Sequence, residues 1–179
     1  MKHSNEMDQI EKMGKWDQRH CRLAEYISKW SKDPNAQVGA VLFSKPGGDV
    51  TIGYNGFPMG AKDTAERLNN KALKLDMIVH AEENALLAAG ARAFGATLYV
   101  WGKPICCRCA GSIIQAGVKR VIAESPFLGD PKSRWTQSGI IAVDMFTESD
   151  VEMLFYSIQN KELVIKRPNP NRRLRVSKK

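Results

Sequence analysis

The sequence contains no run of about 20 apolar residues, which excludes a helix crossing a bilayer within it. Its first stretch, MKHSNEMDQIEKMGK, lacks the apolar segment of a secretory signal, so a cytoplasmic location is expected. Histidine is scarce (His3, His20 and His80), and cysteine nearly so (Cys21, Cys106, Cys107 and Cys109). Three of the four cysteines fall within four positions and cannot pair as a long-range disulfide framework. In a cytosolic chain such clustering points to metal or redox chemistry. There is no internal repeat and no low-complexity linker, and 179 residues suit one domain with a full core. Acidic residues are nearly missing from the end of the chain. From Lys161 to Lys179 eight Lys/Arg accompany one acid, Glu162, while the remainder carries 19 Lys/Arg and 18 Asp/Glu. The body is close to neutral and the tail is basic, which disfavours a nucleic-acid-binding face on the body and reads as a solvated terminus. The expected organisation is a flexible N-terminus over 1–15, a folded domain over 16–160 and a basic tail over 161–179.

Apolar residues at Trp16, Cys21, Leu23, Ala24, Ile27 and Trp30 follow helical spacing and stop before Pro34. QVGAVLFS (37–44) and VTIGYN (50–55) read as strands joined by the turn KPGGD. The stretch 62–79 is polar and irregular, with a short helix near 65–68. A helix is expected over 80–91, a strand over 96–101, a helix over 107–115 ending at Gly117, and a strand over 119–124. IIAVDM (140–145) reads as a fifth strand and ESDVEMLFYSI as a last helix, with Ser149 or Asp150 at its cap. Alternating helices and strands after an opening hairpin predict an α/β fold, a mixed sheet of five strands covered by helices on both faces.

Chemistry concentrates in HAEENALLAAG (80–90) and PICCRCAG (104–111). A catalytic zinc takes three protein donors and keeps a position for water. His80, Cys106 and Cys109 can supply them. The i, i+3 spacing of Cys106 and Cys109 at a helix start brings both sulfurs near the same amides, and the helix dipole favours thiolate. Cys107 diverges from both on a helical turn and reads, like Cys21, as a small buried hydrophobe. Glu82, two residues after His80, can lie beside the metal without ligating it and carry a proton; Glu83 is the better first-turn acid. H-x-E at one helix start, a strand, then C-x-x-C at the next is the signature of zinc nucleobase deaminases.

Across about 16–143, the segments WSKDPNAQVGAVLF, IGYNGFPMG, HAEENALL, ATLYVWGKPICCRCA and IIQAGVKRVIA resemble, in order, the cytidine and deoxycytidylate deaminase superfamily, nearest its dCMP deaminase branch. The resemblance implies a three-layer α/β/α fold with a five-stranded sheet and zinc between two helix N-termini. It implies hydrolysis of dCMP to dUMP, with His80, Cys106 and Cys109 as zinc ligands and Glu82 as proton shuttle. Asn55 matches an asparagine that contacts the sugar in related deaminases, whereas in some dCMP deaminases this region instead helps form a regulatory nucleotide site; a turn residue is the plain alternative. The Ala81 N–H is expected at the O2 edge of the base, with Val38, Gly39 and Ala40 as a wall. A 5′-phosphate needs a cation, for which Lys32, Lys103, Arg108 and Arg134 are candidates. Trp135 is a candidate to stack on a base, whereas Trp101 reads as core packing. Ile105 stands where the family usually has proline, with Pro104 one residue earlier. That loop faces the leaving amino group in the family, so rate and base preference are sensitive to it. Family members are often oligomers, hexamers among them, and parts of the family respond to dCTP or dTTP.

The competing expectations are a deaminase of a related substrate (5-methyl-dCMP, another cytosine nucleotide or nucleoside, or tRNA adenosine), a structural zinc module with His20 or Cys107 as fourth ligand, and a thiol redox protein.

Overall fold

Two β-rich runs on either side of a polar turn form an antiparallel hairpin, β2 (Gly39–Phe43) and β3 (Val50–Tyr54), in which Val41 lies opposite Ile52. The computed structural model describes residues 10–44, 48–159 and 162–166. The turn residues 45–47 and the basic stretch 167–179 lie outside the described residues, as do 1–9 and 160–161. The other strands are β1 (Ile10–Lys12), β4 (Thr97–Trp101), β5 (Arg120–Ala123), β6 (Glu152–Gln159) and β7 (Glu162–Lys166). All join one sheet in the order β1-β7-β6-β5-β4-β2-β3. The pairs β4–β5 and β5–β6 are parallel and the others antiparallel, so the sheet is mixed, as expected.

Helices cover both faces. On one side α1 (Lys15–Ser28) packs Cys21 and Ala24 onto Val41, Tyr99, Ile122 and Leu154. On the other, α4 (Ala81–Ala89), α5 (Cys107–Gln115) and α6 (Arg134–Glu148) bury Ala81, Ala85, Cys109, Ile113, Val143 and Phe146 with Leu42, Leu98 and Val121. Two short helices, α2 (Ala65–Asn69) and α3 (Lys71–Met77), occupy the polar stretch between β3 and α4. Thr64 and Asn70 cap them by accepting the N–H groups of Arg67 and Leu73. No helix among the described residues is long and apolar enough to cross a membrane.

The three-layer class holds, but the sheet has seven strands instead of five. Residues 140–145 are helical: Thr136, Gly139, Ile140, Val143 and Phe146 are buried at helical spacing along α6, and a six-residue window hid that period. The segment expected as the last helix is β6, whose consecutive buried residues Met153–Tyr156 are covered on both faces. Ser149 and Asp150 therefore end a helix. Ser149 is the C-cap of α6, and Asp150 takes a positive φ of 52° in the turn to β6. The remaining additions are β7, which buries Leu163 and Ile165 at alternating positions, and β1, which pairs with it. The sheet thus extends past both boundaries expected for the 16–160 domain.

Gly53 sets the depth at which α4 lies on the sheet. A Cβ there would collide with the Ala81 carbonyl and the Ala85 backbone. Gly53→Ala should push α4 outward and destabilise the fold by about 1–3 kcal/mol, read as a lower melting temperature. An unchanged melting temperature would contradict this packing.

Candidate active site

The centre is built from two helix starts on the same face of the sheet. Val79 exchanges two backbone hydrogen bonds with Gly56 (2.9 and 3.1 Å), which fixes the chain just before His80, the N-cap of α4. Glu83 accepts the His80 N–H at 3.4 Å and fills the first-turn acid role, leaving Glu82 for another. Cys106 is the N-cap of α5, and its sulfur accepts the Cys109 N–H at 3.5 Å. Cys107 turns away: its N–H donates to Ser138 Oγ at 3.0 Å, and the Ser138 hydroxyl lies 3.3 Å from its sulfur.

His80 Nδ1 lies 3.2 Å from Cys109 Sγ and 3.5 Å from Cys106 Sγ, and the three donor atoms fall within 4.8 Å of one another. The hydrogen bond from Cys109 is the main cause holding the Cys106 thiol down at about 4; burial opposes it and His80 assists. The same bond, with burial, raises Cys109, which therefore keeps the proton that the two sulfurs share. The bond to Cys106 raises His80 in turn. Two sulfurs, one readily thiolate, and an imidazole nitrogen are a donor set that zinc accepts, and three protein donors match a catalytic site.

His20 does not add a fourth. It sits across the sheet, with its ring 4.8 Å from Phe43 and 4.9 Å from Tyr99. Among the described residues the grouping of metal-binding side chains is these three alone. The structural-zinc expectation therefore lacks its fourth ligand.

His80 and Cys106 open onto a cavity of about 460 Å³. Glu82 lines it and is 4% exposed. Burial pushes its carboxyl up to about 7, against the opposing pull of His80. A carboxyl titrating near neutrality can both take and return a proton. Ala81 and Val38 also line the cavity, as expected. Asn55 does too, but its side chain clamps the loop before β2: Oδ1 accepts the Val38 N–H and Nδ2 donates to the Ala36 carbonyl, both at 2.8 Å. Trp135 lines the cavity with its ring 5.9 Å from that of His80. Trp101 instead stacks on Tyr156 at 4.5 Å. Pro104 forms part of the wall while Ile105 is buried in the core.

Several expected contacts lie elsewhere. Ala40 is fully buried under α4, one step beyond Val38 on the same sheet face, and does not reach the cavity. Gly39 faces α1, where a Cβ would strike the Ala24 carbonyl. Lys32 is exposed and paired with Asp63 at 2.7 Å. Arg108 and Arg134, in the first turns of α5 and α6, are exposed and off the cavity wall. Of the cations proposed from sequence, Lys103 does line it. The reading missed Asp33, Lys71 and Lys74, all on the wall. Lone charged residues in polar stretches carry no periodic signal, although Asp33 lies within the SKDP segment.

A family model described as the cytidine and deoxycytidylate deaminase zinc-binding region matches residues 14–125. An uncharacterized deaminase from the luxG 3′ region of Aliivibrio fischeri is 38% identical over 141 residues, covering 79% of this chain and 93% of that protein. The deoxycytidylate deaminase of Homo sapiens is 39% identical over 115 residues, 60% of this chain and 63% of that protein. The chain thus spans less than two thirds of the length of that relative. The fold matches that of a cyanophage S-TIM5 dCMP deaminase solved with dCMP and dUMP, at a TM-score of 0.60 and 24% identity, over 81% of this chain and 99% of that one. The chain belongs to the cytidine and deoxycytidylate deaminase family, whose members hydrolyse carbon–nitrogen bonds in cyclic amidines, and zinc is its cofactor.

Metal content separates the cysteines. Cys106→Ala and Cys109→Ala should each lose most of the zinc measured per chain, while Cys107→Ala keeps it. Loss in Cys107→Ala with retention in Cys106→Ala would reverse the assignment.

Proposed function

We propose that the chain converts dCMP and water to dUMP and ammonia, with His80, Cys106 and Cys109 holding zinc and Glu82 moving the protons. The observation that carries this reading is a buried carboxyl, poised near neutrality, on the same cavity wall as a three-donor metal centre. Zinc in such a centre supplies Lewis-acid activation of water at neutral pH. Glu82 accepts a proton from the attacking water, passes it to N3 of the pyrimidine, and delivers the second proton to the departing amino group. One carboxyl does both by taking a proton in the first step and giving it up in the next.

Around this centre Ala81 offers a backbone N–H to the O2 edge, Val38 and Pro104 bound the base, and Trp135 offers an aromatic face. Asn55 serves chiefly by holding the 36–38 loop, and its remaining hydrogen-bonding capacity suits a sugar hydroxyl. The similarity to deoxycytidylate deaminases supports dCMP over other cytosine nucleotides. The family resemblance adds an oligomer and control by dCTP or dTTP to the same reading.

Glu82→Gln keeps the shape and removes the proton carrier. Its kcat on dCMP should fall by roughly 10²–10⁴-fold while zinc per chain is unchanged. A panel of dCMP, 5-methyl-dCMP, dCTP, cytidine and tRNA, run with and without dCTP and dTTP, sets the substrate and the regulation. Near-normal turnover in Glu82→Gln would overturn the mechanism, and preference for another panel member would overturn the substrate.

A further inference from the structure

The one fully buried residue of α3 is a lysine. Lys74 is 4% exposed and lines the same cavity as His80 and Glu82. Its Nζ lies 2.8 Å from Asp33 Oδ1, with both side chains 5% exposed. A buried ammonium is costly unless it is both paired and hydrogen-bonded, and it has three protons to place. Among the described residues Nζ makes one hydrogen bond, to Asp33. That carboxylate is already shared: the same Oδ1 accepts the N–H groups of Asn35 (2.8 Å) and Ala36 (3.1 Å). Asp33 therefore orients Lys74 while its own charge is partly spent on loop amides, and the ammonium keeps attraction for a second anion.

Two more ammonium groups line this cavity. Lys71 lies three residues earlier on α3, and Lys103 comes from the loop after β4. A neutral base and sugar give three cations nothing to bind, whereas a phosphate dianion gives each an acceptor, and lysine binds phosphate as a point charge. Building on the deaminase reading above, we infer that Lys74, oriented by Asp33 and aided by Lys71 and Lys103, is the specificity-determining residue by which the cavity selects a 5′-monophosphorylated substrate over the corresponding nucleoside. Lys32, Arg108 and Arg134 take no part in this selection.

The test measures kcat and KM on dCMP and deoxycytidine for the zinc-loaded full chain, Lys74→Met, and the doubly substituted Lys71→Ala/Lys103→Ala, whose positions are at or near the surface. Calorimetric titration with dUMP, deoxyuridine and inorganic phosphate accompanies it. The parent should prefer dCMP in kcat/KM. Lys74→Met should lose roughly 10–100-fold on dCMP, chiefly in KM, and change deoxycytidine turnover by less than about threefold. The double variant should shift the same way, which keeps the test intact if Lys74→Met fails to fold. Phosphate and dUMP should bind the parent and weaken in the variants, with deoxyuridine unaffected. Equal losses on both substrates would make the Lys74–Asp33 pair merely structural, and an undiminished preference for dCMP would place the phosphate elsewhere; either overturns the inference. If the parent deaminates neither substrate, the deaminase reading fails, and the dUMP and phosphate titrations still decide on Lys74.

Discussion

The convergence of His80 Nδ1 on two cysteine sulfurs, at 3.2 and 3.5 Å, is the contact on which the rest of this site depends. It requires two helices to start at the same point over one sheet. Gly53 and the small residues Ala81 and Ala85 let α4 lie close to the hairpin strand. Cys106, as the N-cap of α5, takes extended backbone angles that turn its sulfur toward the first-turn amides. Each device is a packing or capping feature found in many proteins. Their combination brings donors 26 and 29 residues apart in sequence into one cluster.

The site has two electrostatic halves. Near the metal centre, burial raises the Glu82 carboxyl while hydrogen bonds lower Cys106, so a proton carrier and a thiolate coexist on adjacent helix starts. Elsewhere on the same cavity, Lys74 and Asp33 form an ion pair whose carboxylate also fastens the loop that Asn55 clamps. Breaking that pair would leave a charge buried without its partner, so it carries structure as well as selectivity. The interaction is electrostatic at both ends, and the group at the heart of each, Glu82 at one and Lys74 at the other, is withdrawn from water.

What was legible in the sequence was local or nearly so. H-x-E and C-x-x-C are short spacings tied to helix starts, and the hairpin, β4, α5 and β5 all announce themselves by period and breaker. Glu83 behaves as its position suggests and caps α4, and Cys107 turns away from the metal cluster toward α6, but it is half-buried against Ser138 and not the small buried hydrophobe expected. The failures are non-local or ambiguous. IIAVDM is apolar enough for either a strand or a buried helix, and the longer helical period around it decides. Pairing of β1 with β7 joins segments more than 150 residues apart. The partner of Lys74 lies 41 residues away, and no pattern in LNNKALKLD marks one lysine as buried. Conversely, Arg108 and Arg134 were attractive because they neighbour site residues in sequence, but helical geometry turns them to solvent.

The central claim is that one open zinc site, with Glu82 beside it, deaminates dCMP. Its most direct test follows dUMP and ammonia from dCMP with the zinc-loaded protein, after chelator treatment, and after zinc is restored. The account predicts stoichiometric dUMP and ammonia, loss of turnover with the metal, and recovery at about one zinc per chain. Full turnover after the metal has been removed, or no dUMP from the zinc-loaded protein, would contradict it.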